Sequence, residues 1–402
     1  MGRIVLSPVA VRDTMPPMHG RWLLWGSLVL MACPGPTEPT LVPLDLPPQV
    51  RTPDESDEPE PDAPAVAPME LRQVAPGIFA VLQPAPRRFA DSNAAIIATD
   101  EGTVIIDGPQ SLWTADWLWE QVQAQTTTSR RLLVTTHWHL DHSLSSARWR
   151  QQAGDDQTIE HWGHAKLAGL LQTRGQAQLV EHRAAVRAMI ARGEEIAASG
   201  KQGDGTELTE PQREQLSREL QRVTEQADAL DALELVMPTH PVEEKTSLSL
   251  AGLTVELRPV VAHTDADLVV YVPEAKVLFS GDVLDEIPFG GHGRPRRWLE
   301  VLRGLQDLDV EVIVPGHGGV MEPAGLDRAI ALWAAIVEQA EQASTRGESA
   351  KERFEAWADS AEYAELRDAM VSDGVSMRAF DAFVPESLAR AVAEHEGELD
   401  EP

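Results

Sequence analysis

From Gly77 onward the chain alternates short, branched apolar runs with longer segments of helical period. Gly77-Ile78-Phe79-Ala80-Val81-Leu82, Ala94-Ala95-Ile96-Ile97-Ala98 and Thr103-Val104-Ile105-Ile106-Asp107 read as three strands separated by Pro, Asp and Gly turns. Leu112, Ala115, Trp119 and Val122 recur on one face and predict a helix over 111–126. A strand over 131–136 follows, then a loop, then a helix over 143–152 with Ser143 as its N-cap. Between His164 and Leu235 the chain is rich in Ala, Leu, Glu, Gln and Arg, with a break at Gly200–Gly205. That composition predicts two long helices in a hairpin, the second starting near Thr209-Glu210-Pro211. Two strands then span 247–261 with a turn at Ala251-Gly252, and a hairpin joins 268–273 to 276–280. A helix near 295–305, a strand over 310–314 and a helix over 323–345 complete the pattern. From 346 to Pro402 the chain reads as an acidic helical extension with no evident chemistry.

The first 68 residues follow different rules. Arg21 precedes an apolar run, Trp22 to Ala32, that is far short of the ~20 residues a membrane-spanning helix needs. The run fits a signal-peptide core. Leu30-Met31-Ala32-Cys33 resembles the bacterial lipobox, which makes Cys33 the lipidated residue and 1–33 the signal peptide, with Met15 or Met18 as alternative starts. Cys33 is also the only cysteine, so an internal disulfide framework and a cysteine-rich zinc site are both excluded. Residues 34–68 are rich in Pro and acid and read as an extended tether. Pro34 after Cys33, by resemblance to Gram-negative lipoproteins, implies an outer-membrane lipoprotein of the cell envelope. The net charge of −30 argues against a nucleic-acid partner, because such binding needs a basic stripe.

Chemistry concentrates at Thr135-Thr136-His137-Trp138-His139-Leu140-Asp141-His142, directly after the apolar run Arg131–Val134. Four candidate metal ligands fall there within six residues. Three more follow other apolar runs: His263 after Val260-Val261, Asp282 after Val277-Leu278-Phe279, and His317 after Val312-Ile313-Val314. Ligands delivered from successive strand ends converge on one edge of an α/β layer. Three neutral imidazoles leave a divalent ion its Lewis acidity and an open position for water. Two ions about 3.5–4 Å apart can share a hydroxide and lower the water pKa toward ~7. No GxSxG and no HExxH occurs, which disfavours serine hydrolases and thermolysin-like proteases.

The pattern HxHxDH, then a distal His, Asp and His, resembles the metallo-β-lactamase superfamily. That resemblance implies an α+β fold, an αββα sandwich with helices outside two mixed sheets, over residues 69–345. The helical hairpin at about 164–235 is an insertion, read as a lid or a homodimer contact, and 346–402 as an appended extension. Matching positions assign His137, His139 and His263 to one metal and Asp141, His142 and His317 to the other, with Asp282 between them. Asp141 and His317 are also the catalytic candidates. Zinc is the expected metal, with iron or manganese as alternatives. Asp107 matches a strand-end acid that buttresses the ligand loop, with an ordinary Asp-Gly turn as the alternative. Asp267 is a candidate to orient a ligand imidazole. His292 and Arg294 are candidates for substrate contact, whereas Trp138 reads as packing and His161, His164, His182 and His240 as structural or surface residues. The implied function is metal-dependent hydrolysis of an ester, thioester, lactone or related bond in a small molecule. The alternatives are a β-lactam hydrolase, a mononuclear-iron sulfur dioxygenase-like enzyme, and a non-catalytic tethered binding protein.

Overall fold

The computed structural model describes residues 68–126, 128–153, 159–202 and 205–399. Cys33 and nearly all of the tether lie outside the described residues.

Seven strands form the first sheet in sequence order: β1 (Glu70–Ala75), β2 (Ile78–Leu82), β3 (Ala94–Ala98), β4 (Thr103–Ile106), β5 (Arg131–Thr135), β6 (Ile159–His164) and β7 (His240–Val242). The first four pair antiparallel; β4 through β7 pair parallel. The second sheet holds β8 (Thr246–Leu250), β9 (Leu253–Val260), β10 (Asp267–Val272), β11 (Val277–Gly281) and β12 (Val312–Pro315). These are antiparallel except for the parallel β11–β12 pair.

Strand alternation sorts side chains into layers. Val104 and Ile106 of β4 face the second sheet and meet Val255, Leu257, Val270 and Phe279. Ile105, between them, points the other way and packs with Ile96 and Leu133 against Leu118, Trp119 and Val122 of α1 (Leu112–Gln125) and Trp149 of α2 (Leu140–Ala153). A period of two gives each inner strand two apolar faces, because both faces are covered. The far face of the second sheet packs Val269, Tyr271, Leu278 and Ile313 against helices. The result is the expected αββα sandwich.

The insertion runs through α3 (Leu167–Leu170) and a wider turn, Leu171–Gly175, into α4 (Gln176–Ser199) and α5 (Glu210–Asp231). Thr209 and Gln212 form a capping box at the start of α5, with Pro211 in its first turn. Gly200, at φ 66°, ends α4 in the left-handed conformation that glycine adopts without penalty. The hairpin is anchored by Leu179 and Leu230, which pack on Leu140 and Leu144 of α2.

After β11 come α6 (Pro295–Leu305), α7 (Ala324–Arg346), α8 (Ala350–Ala358), α9 (Ala361–Met370) and α10 (Gly374–His395). These last three helices are not an appendage: Phe380, Phe383, Val384 and Leu388 of α10 share a core with Leu332, Trp333 and Ile336 of α7. Three strands escape the sequence pattern. β1 is half exposed, β6 places Glu160, Trp162 and His164 on its more open face, and β7 is three residues long with Pro241 inside it.

Candidate metal centre

The seven predicted ligands meet at one end of the sandwich, each carried there by the chain leaving a strand. His137 and His139 follow β5, His263 lies between β9 and β10, Asp282 follows β11 and His317 follows β12. One correction concerns the helix start: α2 begins at Leu140, not Ser143, so Asp141 and His142 belong to its first turn. The His139 carbonyl accepts from the amides of His142 (3.1 Å) and Ser143 (3.0 Å), which closes that turn. Gln178 of the insertion accepts from the Leu140 amide at 3.0 Å, a helix-start contact that local sequence does not reveal.

The donor atoms divide into two adjoining groups, His137, His139, His263 and Asp282 in one, Asp141, His142 and His317 in the other, each within 4.8 Å. His139 Nδ1 lies 2.9 Å from His137 Nε2 and 3.1 Å from His263 Nε2. Three buried ring nitrogens this close carry lone pairs aimed at a common point, an arrangement suited to a cation. Asp282 divides its oxygens between the groups. Oδ2 lies 3.4 Å from His263 Nε2 and 3.6 Å from His137 Nε2, whereas Oδ1 lies 3.0 Å from His142 Nε2 and 3.6 Å from His317 Nε2. Asp282 Oδ1 and His142 Nε2 are buried and close, yet neither makes a directed hydrogen bond. Two orphaned polar atoms in so dry a place fit a metal ligand set. Gly316 makes room for this: a Cβ there would stand 2.0 Å from Asp282 Oδ1.

Electrostatics favour the same reading. Burial, followed by neighbouring imidazoles, pushes His137 and His139 well below the ordinary histidine range, so both are neutral. Burial opposes charge on Asp282 too, but the imidazoles of His142, His317, His137 and His263 together hold it well below the usual carboxylate range. His142 goes the other way. Burial disfavours its charged form, yet Asp282, Asp107 and Asp141 lift it well above 6.5. A cluster that draws protons so strongly without a metal is one that a divalent cation would satisfy.

The outer nitrogens are fixed by specific partners. Asp107, at φ 55°, accepts from His142 Nδ1 (2.8 Å), the Thr136 amide (2.7 Å) and the Thr136 hydroxyl (2.6 Å). It therefore ties the end of β4 to the ligand loop and sets the His142 ring. Thr136 Oγ1 lies 3.1 Å from His137 Nδ1, and His292 Nδ1 lies 2.9 Å from His139 Nε2. The His263 ring is oriented by the Phe289 carbonyl at 3.1 Å, not by Asp267. Asp267 instead accepts from the amides of Ala262 and Thr264 and from the Thr264 hydroxyl, shaping the His263 loop through its backbone.

Arg294 also departs from expectation. It is buried, ion-pairs with Asp265 at 2.9 Å and donates its amide to Ala262, so it supports the His263 loop and does not line the cavity. His292 does line the cavity while engaging His139. Trp138 packs beside Leu167 and Leu171. His182, expected to be structural or superficial, is a cavity residue, as are Gln178, Phe383 and Glu386. Apolar spacing alone marks these stretches as helices; nothing local to them says which turn faces the site.

The cavity above the ligands has a volume of about 230 Å³. Phe89, Ile287, Phe289 and Phe383 give it an apolar wall over the polar floor.

Residues 160–317 match the family model described as the metallo-beta-lactamase superfamily, a span that takes in His263, Asp282 and His317. Among solved structures, the chain is similar to the stereoselective inverting sec-alkylsulfatase Pisa1 from Pseudomonas sp. (14% identity, TM-score 0.53), over 82% of this chain and 50% of that one. It is also similar to a metallo-beta-lactamase from Pontibacter korlensis (16% identity, TM-score 0.44), over 66% of this chain and 99% of that one. The match to the superfamily model thus covers the part of the chain that carries His263, Asp282 and His317, and the described residues gather His and Asp side chains that could hold a metal ion.

Proposed function

We propose that the protein is a dinuclear metal-dependent hydrolase of small-molecule esters, thioesters or lactones. The observation that carries this reading is the gathering of seven ligand side chains into two adjoining groups on the floor of one cavity. One ion would be held by His137, His139 and His263, the other by Asp141, His142 and His317, with Asp282 offering an oxygen to each. When bound, two divalent ions supply Lewis acidity toward a scissile carbonyl and an acidified water as nucleophile.

The remaining work belongs to the chain. Asp141 is kept anionic by His142 and His317 despite its burial, and it lines the cavity, so its carboxylate can accept a proton from the attacking water. The apolar wall keeps bulk water off the reacting centre and receives hydrocarbon on either side of the scissile bond. Asp107, Thr136, His292 and the Phe289 carbonyl hold ligand rings in one orientation, which removes reorganisation from the reaction. Retention of every ligand favours this reading over a non-catalytic binding protein and over a one-iron oxygenase.

The test is metal content of the full chain together with turnover of a lactone, a thioester, an alkyl sulfate, a phosphodiester and a cephalosporin. The reading requires about two metals per chain and turnover abolished in His139→Ala and in Asp282→Ala. Less than one metal, with no turnover of any member, would overturn it.

A further inference from the structure

Two helices outside the two sheets close the cavity: α4 of the insertion and α10 near the C-terminus. Outside the ligand set, α4 contributes Gln178, which is engaged with the Leu140 amide at 3.0 Å, and His182, while α10 contributes Glu386. His182 of α4 is half-buried on the cavity wall, and Glu386 of α10 stands at the more open rim. Neither has a hydrogen-bond or ion-pair partner among the described residues, whereas His292 and Asp285 on the same cavity are engaged with His139 and the His317 amide. A polar group facing a ligand cavity and lacking a protein partner is free to serve a ligand. The His182 imidazole, with two ring nitrogens and no protein partner among the described residues, can offer a donor or an acceptor to such a ligand.

The lining of the cavity is acidic, while Arg174 and Arg390 lie behind it near His292. Among the described residues its lining holds Asp and Glu but no Lys or Arg. A substrate carboxylate near the rim would meet Glu386 with no cation in the wall to offset the repulsion, while a hydroxyl or ammonium would find an acceptor. The phenyl rings of Phe89, Phe289 and Phe383 in the same lining accept the hydrocarbon between that group and the scissile bond.

On the hydrolase reading above, we propose that His182 and Glu386 select the substrate, gripping the non-reacting part of an ester and favouring a hydrogen-bond donor there over a carboxylate. Both residues come from segments outside the sandwich, so specificity resides in the added helices and ligation in the sheets.

The experiment compares phenyl esters of hexanoic acid, 6-aminohexanoic acid and adipic acid, using the zinc-loaded full chain. The amino ester should exceed the adipate monoester by at least ~10-fold in kcat/KM, and Glu386→Gln should cut that ratio to below ~3. His182→Ala should raise KM for all three about 10-fold with kcat within about 3-fold, and His182→Gln should restore part of the loss. Zinc content and melting temperature must be unchanged in each variant, which separates selection from folding. A wild-type enzyme that hydrolyses these esters with the same ratio in Glu386→Gln and the same KM in His182→Ala overturns the selection and leaves the hydrolase standing. A zinc-bound wild type that hydrolyses none of the three overturns the ester reading and this selection with it.

Discussion

His161 shows how far a single residue's environment can be read as a stability statement. Its ring is buried, its Nε2 meets the Thr135 hydroxyl at 2.8 Å, and Nδ1 makes no well-directed hydrogen bond among the described residues, although the Met237 backbone lies near enough to favour the charged ring slightly. Burial, with the charge of Arg150, pushes its pKa down to about 4. The unfolded chain takes up that proton near ~6.5. Above ~6.5 both states are neutral and the residue contributes no pH dependence. As pH falls below ~6.5 the unfolded state binds the proton first, so stability drops, and the loss levels off below about pH 4 on the order of 3 kcal/mol. Urea unfolding of metal-free protein at pH 7.5 and at pH 5.0 tests this. His161→Gln should lose about 2 kcal/mol less stability than wild type between those values; parallel losses would refute the assignment. At this scale the sequence was legible where residues cluster. His137, His139, Asp141 and His142 announce themselves by spacing, and His263, Asp282 and His317 by following apolar runs. Asp267 and Arg294 were misread because both act on loop backbone and on each other's neighbours, contacts that spacing does not encode.

Elements were legible where period and punctuation agreed. The insertion hairpin, with Gly200 at one end and the Thr209 capping box at the other, is the clearest case. β6 was invisible because its buried face, Ile159, His161 and Gly163, holds a single large apolar residue, and its pairing is set by β5, a tertiary fact. The start of α2 was placed three residues late because metal-ligand chemistry at Asp141 and His142 masks an ordinary first turn. The N-terminus of α10 illustrates what an element owes to distant chain. Asp373 Oδ1 accepts from the amides of Val375 and Ser376, both at 2.9 Å, and from Arg88 Nη2 at 2.8 Å. Arg88 also pairs with Glu286, whose carboxylate accepts from the Gly319 amide and whose own amide donates to the His317 carbonyl. The helix that walls the cavity is therefore pinned to the loop that delivers His317. Asp373→Ala should cost about 1–2 kcal/mol by loss of the cap. Asp373→Asn keeps a capping oxygen and should cost less. Denaturation midpoints for the two variants decide it, and an Asn variant as unstable as the Ala variant would show that the cap is not the main contribution.

At the scale of the molecule, the cavity wall and the folded core share the C-terminal helices. The sequence suggested a hydrolase body ending near 345, with an acidic extension beyond it, because charge on the outer faces of α8 to α10 conceals their apolar seam. In the structure Phe380, Phe383, Val384 and Leu388 close the core over Leu332, Trp333 and Ile336. Burying a large apolar side chain is worth roughly 1.5–3 kcal/mol, so these four from α10 contribute on the order of 6–12 kcal/mol. That approaches the whole net stability of an ordinary domain, about 5–15 kcal/mol. Loss of α10 also removes the wall carrying Phe383 and Glu386, together with the contacts from Ser387 to Gly290 and from Arg390 to Gly293 that fasten the His292 loop. A chain ending at Arg346 should therefore lack a cooperative thermal transition and expose its apolar face to dye binding, although every metal ligand is still encoded. A truncated chain that melts sigmoidally within a few degrees of the full-length protein would show that the sandwich stands alone, and that α10 is needed only for the cavity.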